Sequence, residues 1–355
     1  MYYKSAEPDS KRDEYNPNEN VNFTLNFDNQ SLVRNSVKLC GKLEVVTKTG
    51  DPLAHNPNTM IDALTGIHGA IQSVTCQFFK FGVVENLDNY PRLVKMKMLT
   101  RQNDGQACSM SSNTTSLTLA RDEQTNALLP GTLDEDGIYF ACPIDCIVNR
   151  SLNDIPSSKV GNISINIRLA SVNAFVINAN GTGYSLSDLE LIYNTVDEVR
   201  SKGPLVFESY SVVKHTLSSS RMSLSSQIPS QVMSVVASFI PIAKENVDAS
   251  NNLECATLPN ISRLNWTFND SFNLVSYELL QREDILFNYV KALGNTGYNF
   301  IRSKKIAEDK GFGIGLLFPK PMDLSNRKIS VNIDSDVSNA DPYSMYMYVK
   351  SIKAF

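Results

Sequence analysis

With 355 residues the chain exceeds the usual length of one domain, which predicts two domains of about 150 to 180 residues, each burying its own core. Charged residues make up 20%, below the roughly 25% of typical soluble domains, and the formal net charge is −4; neither offers overall attraction to a nucleic-acid backbone or an anionic membrane, so direct genome binding is not expected. Six cysteines, at positions 40, 76, 108, 142, 146 and 255, are too sparse for a disulfide-stapled scaffold and read as free, mostly buried thiols.

Residues 1–20 hold Pro8, Pro17 and eight charged side chains, three basic and five acidic, with few apolar groups after Tyr3. Such a segment gains too little from burial to offset the entropy of its own ordering, so it is expected to be mobile in isolation. It has neither the apolar stretch of a signal peptide nor the Arg-rich, acid-poor character of a transit peptide, which points to synthesis in a cytoplasm. From residue 21 onward, apolar-polar alternation predicts strands at 21–27 (VNFTLNF), 38–47 (KLCGKLEVVT), 73–79 (SVTCQFF), 163–169 (ISINIRL) and 329–333 (ISVNI). Turn chemistry at Thr49-Gly50-Asp51-Pro52, Asn180-Gly181 and Asn295-Thr296-Gly297 separates them. Helical spacing is confined to 276–293, with Gly294 as a stop, and a shorter stretch at 90–98. The longest largely apolar run, 232–243, has 12 residues interrupted by serines and a proline, too short to cross a bilayer. The fold class expected is all-β with a few short helices.

A faint internal repeat adds domain organisation. Ile163-Ser-Ile-Asn-Ile167 echoes Ile329-Ser-Val-Asn-Ile333, an offset of 166 from position 163 to 329. Tyr184-Ser185 ahead of 189–193 (LELIY) matches Tyr343-Ser344 ahead of 345–349 (MYMYV), an offset of 159. Upstream, Gly137-Ile-Tyr-Phe140 with Pro143-Ile-Asp145 resembles Gly313-Ile-Gly-Leu-Leu-Phe318 with Pro321-Met-Asp323, an offset of 178 between the prolines. Matches in the same order at drifting offsets predict a duplicated strand framework with loops of different length. The break falls at 200–204 (RSKGP), a Gly-Pro linker.

Motifs that carry chemistry are sparse. A two-barrel metalloenzyme of the bicupin kind needs a His-x-His pair, yet the chain has only His55, His68 and His215, each read as a loop or solvent-facing residue. Cys142 and Cys146 in CPIDC have three residues between them; along an extended strand they would be about 13 Å apart, too far for a disulfide, and they read as buried thiols. Gly311-Phe-Gly-Ile-Gly315 fits neither a dinucleotide fingerprint nor a P-loop and reads as a strand whose small residues permit close packing. Gly-x-Ser-x-Gly is absent, and Trp266 on an alternating strand reads as a core residue. No catalytic, cofactor-binding or metal-binding residue is predicted.

Residues 184–193 (YSLSDLELIY) followed by Asp197-Glu198-Val199, and residues 319–326 (PKPMDLSN) leading through 329–333 to 341–348 (DPYSMYMY), resemble the closing strands of the two halves of the double jelly-roll major capsid proteins. That lineage includes tailless membrane-containing phages, adenoviruses and large eukaryotic DNA viruses. The resemblance covers nearly the whole chain from about residue 21 and is one of layout, with no motif diagnostic of chemistry. It implies two tandem jelly-roll β-barrels, at 21–202 and 203–355, behind an N-terminal arm at 1–20 that runs beneath neighbouring capsomers, with Tyr2, Tyr3 and Tyr15 as its assembly contacts. It further implies a homotrimer forming a pseudo-hexameric capsomer of an icosahedral virion, and a virion location. The implied partners are neighbouring capsomers and minor capsid or penton proteins, and an internal viral membrane stays open. At 355 residues there is no room for the long tower insertions of the largest members. The rival reading is a β-sandwich binding module, such as a viral spike or a lectin-like receptor-binding protein, with a two-barrel enzyme third.

Overall fold

A computed structural model describes residues 1–47, 60–61, 65–99, 138–177, 182–198, 203–227, 231–245, 257–269, 274–294, 313–324 and 327–355. Thirteen strands come from the first part of the chain: β1 (Tyr2–Ala6), β2 (Glu14–Tyr15), β3 (Asn20–Leu25), β4 (Gln30–Leu32), β5 (Lys38–Thr47), β6 (Met60–Ile61), β7 (Ile71–Phe78), β8 (Gly82–Asp88), β9 (Ile138–Pro143), β10 (Ile155–Pro156), β11 (Ile163–Leu169), β12 (Val176–Ile177) and β13 (Thr182–Asp197). Eight come from the second: β14 (Val206–Leu217), β15 (Arg221–Gln227), β16 (Val232–Pro241), β17 (Ile261–Asn269), β18 (Leu274–Leu279), β19 (Ile314–Met322), β20 (Lys328–Ser335) and β21 (Tyr343–Ala354). The alternation read from the sequence sets which face each strand buries. In β11, Ile163, Ile165, Ile167 and Leu169 point into the core while Ser164, Asn166 and Arg168 turn outward. Ile329, Val331 and Ile333 do the same in β20.

In the second half two four-stranded sheets have the orders β14-β21-β16-β19 and β15-β20-β17-β18. In the first half β13 lies between β1 and β5, with β9 beyond β5, and the facing sheet runs β3-β11-β7-β8. Position for position, β1, β3, β5, β7, β8, β9, β11 and β13 therefore correspond to β14 through β21. Each half contains an eight-stranded jelly roll of two antiparallel sheets, to which the first half adds β2, β4 and β10 on one sheet and the separate pair β6 and β12. All three sequence matches fall on equivalent strands, β9 with β19, β11 with β20 and β13 with β21. Among the described residues, the strands of one half form their sheets only with strands of the same half.

Three expectations change. Residues 1–20 do not stand apart from the first barrel, because β1 runs antiparallel along β13, Tyr2 opposite Thr195 through Ala6 opposite Leu191. Tyr15 sits in the core, with its partner strand at Leu186–Ser187. The backbone ladder of β1 and the buried Tyr15 order this polar stretch, so the barrel begins at β1 rather than at residue 21. The helix expected over 276–293 is a strand as far as Leu279, paired with β17, and a helix only over Arg282–Ala292. The shorter helix forms at Tyr90–Leu99. His68 is buried rather than solvent-facing, because its Nδ1 lies 2.8 Å from the Tyr90 hydroxyl. His215 is half-buried beside Ser226, and His55 lies outside the described residues.

Candidate functional site: the seam between the two barrels

The barrels meet along β8, the helix Tyr90–Leu99 and residues 144–152 on one side, and β14 and β21 on the other. At its centre is Glu85. Cys76 of β7 faces Glu85, but the next residue, Gln77, faces Val83, so β8 carries one extra residue there. This bulge turns both Val84 and Glu85 inward. The carboxylate, fully buried, accepts hydrogen bonds from Ile147 N (2.7 Å) and Arg150 Nη2 (2.5 Å) in its own barrel. Across the seam it accepts from Tyr210 N (2.8 Å) and Ser209 Oγ (3.0 Å). Arg150 also reaches Asp145 (3.4 Å), to which Lys97 donates at 2.5 Å. Lys97 and Arg150 lie 4.4 and 4.8 Å from the centre of the Tyr210 ring.

Residues 150–152 add to the edge of the second barrel's sheet, with Leu152 N donating to Val206 O (3.1 Å) and Glu208 N to Arg150 O (3.2 Å). Asn149 holds this segment in its own barrel: Oδ1 accepts from Val37 N (3.0 Å), and Nδ2 donates to Val37 O (2.7 Å) and Ile144 O (2.8 Å). One end of the seam is aromatic, with Phe78, Phe207 and Phe355 packed at ring separations of 5.4 to 5.8 Å. Toward the other end the Tyr348 hydroxyl donates to Asn89 O (2.8 Å), and the Arg92 guanidinium lies 4.7 Å from the Tyr346 ring centre. A cleft of about 920 Å³ opens beside it, lined in part by Arg34, Lys38, His68, Asp145, Arg150 and Glu208.

Burial works against the charge of Asp145, but Lys97 and Arg150 outweigh it and hold the carboxyl well below the usual range. Burial lowers Lys97 even against the attraction of Asp145. Arg150 is also penalised by burial, yet Glu85 and Asp145 raise it and keep it charged. Beneath Glu85, the hydrogen bond with Cys146 and burial hold the Cys76 thiol protonated. The same hydrogen bond lowers the Cys146 thiol, and both thiols are buried, so the arrangement presents neither to solvent. What it does is mechanical: a desolvated ion pair adds little net stability over an apolar isostere, but misalignment leaves a buried charge unpaired. The seam therefore defines one register of barrel on barrel.

Of the residues singled out from the sequence, Cys146 lies in the seam beneath Glu85 and His68 lines the cleft, and the others lie elsewhere and divide. Tyr2 and Tyr3 stand 48% and 68% exposed on β1, whereas Tyr15 is buried and its hydroxyl donates to Ser10 O (2.5 Å). Cys142 and Cys146 are buried free thiols, and Trp266 is fully buried. A Cβ on Gly315 would lie 2.8 Å from Tyr289 Cα, so the helix Arg282–Ala292 packs directly on this glycine of β19. Among the described residues no group of three or more His, Cys, Asp or Glu is placed to hold a metal. Sequence reasoning missed the seam. Its one local signal is that Glu85 shares the parity of Leu87, an acid in a core phase.

No family model and no curated protein matches the sequence. Solved structures do match. The Faustovirus major capsid protein superimposes with a TM-score of 0.61 at 8% identity, over 100% of this chain and 90% of that one. PBCV-1 VP54, fitted into a reconstruction of the virophage Sputnik, gives 0.59 at 11% identity, over 100% and 94%. The mavirus major capsid protein gives 0.54 at 8%, over 99% and 86%. Superposition spans both barrels, and with the strand orders given above the chain has the double jelly-roll fold of viral major capsid proteins.

Proposed function

We propose that the chain is the major capsid protein of an icosahedral virus, with a structural and not an enzymatic role. The observation that carries this reading is a pair of equivalent jelly rolls locked by a desolvated seam, matched over the full chain by the major capsid proteins of Faustovirus and mavirus. In this reading the barrels occupy residues up to 202 and 203–355, and three chains close into a capsomer of six barrels that tiles a shell with its neighbours. Tyr2 and Tyr3, exposed on β1, are assembly contacts. Minor capsid or penton proteins at the vertices, and an internal viral membrane beneath the shell, are the further partners the reading accommodates. The chain is made in the host cytoplasm and resides in the virion. The net charge of −4 argues that its partners are proteins rather than the genome.

Negative-stain electron microscopy of the purified chain tests the reading. The expected images are hexagonal-outlined particles that associate into curved sheets or shells as concentration rises. Two-lobed monomers at all concentrations would contradict it.

A further inference from the structure

The charges around the cleft beside the seam do not balance. Its lining holds four cations, Arg34, Lys38, Lys97 and Arg150, against two acids, Asp145 and Glu208, an excess of two positive charges in a chain whose net charge is −4. Both acids are already engaged. Asp145 accepts from Lys97 (2.5 Å) and Arg150 (3.4 Å), and Glu208 pairs with Lys350 (2.9 Å). Arg150 has a second acid, Glu85, at 2.5 Å, so counting Glu85 and Lys350 as well leaves the excess unchanged. Asp154, next to the cleft, accepts from the backbone N–H of Arg34 at 2.9 Å.

The excess sits at the rim. Arg34 and Lys38 are exposed where the chain enters β5, and among the described residues neither forms an ion pair. Leu152 O accepts from Arg34 Nη1 at 3.2 Å, which holds this long side chain at the cleft, and a guanidinium carries five N–H donors. Asn35, between the two cations and in the left-handed region at φ 54°, adds a carboxamide to the lining. Deeper in, Lys97 and Arg150 are mostly buried. Burial lowers Lys97 despite Asp145, so that carboxylate alone does not offset the cost of the buried cation. An anion in the cleft would.

We propose that the cleft binds a short phosphate chain, such as a di- or triphosphate group, with Arg34 and Lys38 holding its oxygens at the rim and Lys97 and Arg150 supplying positive field behind them. Charge sets the class. An excess of two positive charges matches an anion of two charges or more, and a chloride or a single carboxylate leaves it half compensated. The guanidinium fork of Arg34 fits phosphate oxygens, with Lys38 as a point charge beside it. Size sets the limit: about 920 Å³ admits a few linked phosphate groups, while the net charge of −4 repels an extended nucleic acid. Lys97 and Arg150 also lie over the Tyr210 ring of the second barrel, so an anion that fixes them steadies the seam. The site does not depend on the capsid reading.

Isothermal titration calorimetry of the full chain with sodium tripolyphosphate at constant ionic strength, with thermal unfolding of the same samples, tests this. The expected result is one saturable site per chain and a rise in Tm that sodium chloride of the same ionic strength does not reproduce. Arg34→Gln combined with Lys38→Gln should raise the dissociation constant by about tenfold or more and, because both side chains are exposed, leave far-UV circular dichroism unchanged. Arg221→Gln, which removes a cation 86% exposed on β15, should leave binding as it is. The absence of a saturable site, a Tm rise that chloride reproduces, undiminished binding by the double variant, or equal weakening by Arg221→Gln would each overturn the assignment.

Discussion

Two short helices follow equivalent strands in the two halves of this molecule, and they live in different surroundings. Tyr90–Leu99, after β8, packs on its own barrel at β7 and also reaches the second barrel, with Arg92 over Tyr346 and Lys97 over Tyr210. Arg282–Ala292, after β18, buries Ile285, Tyr289, Val290 and Ala292 against its own barrel and leaves Phe287 exposed. The same topology is thus finished by covalent tandem linkage in one place and left open in the other. Where the partner is always present, the chain uses buried charge, which specifies register. Where the face is left open, it carries the exposed Leu280 and Phe287 in place of buried charge.

The largest effect should come from Glu85→Ala. It leaves Arg150 buried without its main partner and removes the acceptor for Tyr210 N and Ile147 N, which should cost about 3–5 kcal/mol in urea unfolding and separate the barrels into two transitions. On β18, the strand that corresponds to β8, Tyr277→Ala should cost less than about 2 kcal/mol. A comparable contrast divides the N-terminal tyrosines. Tyr15→Ala empties a core site and should cost about 3–5 kcal/mol. Tyr3→Ala should stay within about 0.5 kcal/mol in the isolated chain. Equal costs for those two would mean that residues 1–20 act as one unit.

Gly315→Ala should be intermediate, about 1–3 kcal/mol, because the added methyl meets Tyr289 Cα and Ala292 Cβ rather than a flexible tip. The seam should also carry a pH dependence. The folded-state pKa of Asp145 lies below its ordinary value, so its contribution is complete above about pH 4 and is lost as the pH falls further. Asp145→Asn should lower Tm near neutrality, where the ion pairs with Lys97 and Arg150 are complete, and flatten the acid limb of the profile, so that the two curves of Tm against pH converge at low pH.

Much of the fold was legible in the sequence because the inner strands alternate cleanly. Ile163 to Ile167 and Ile329 to Ile333 are half-buried ladders in which each side chain's parity sets its face. The start of the second helix was not legible, because Tyr277 and Leu279 fit a period of two and, with Leu280 and Ile285, also a helical spacing; pairing with β17 decides between them. Strand β1 was hidden for another reason. YYKSA has no apolar face, and what orders it is a ladder to residues 191–195, far away in sequence. The seam was hardest to read. Glu85 finds Arg150 and Tyr210 only after two barrels have folded, and no local pattern announces a partner 65 or 125 residues away.

Hydrogen–deuterium exchange followed as a function of protein concentration tests most directly whether a chain locked by its own seam assembles through other faces. The account predicts that β8 and the helix Tyr90–Leu99 exchange slowly at every concentration, while β1, which carries the exposed Tyr2 and Tyr3, gains protection as the chains associate. Protection of β1 that does not change with concentration would contradict it.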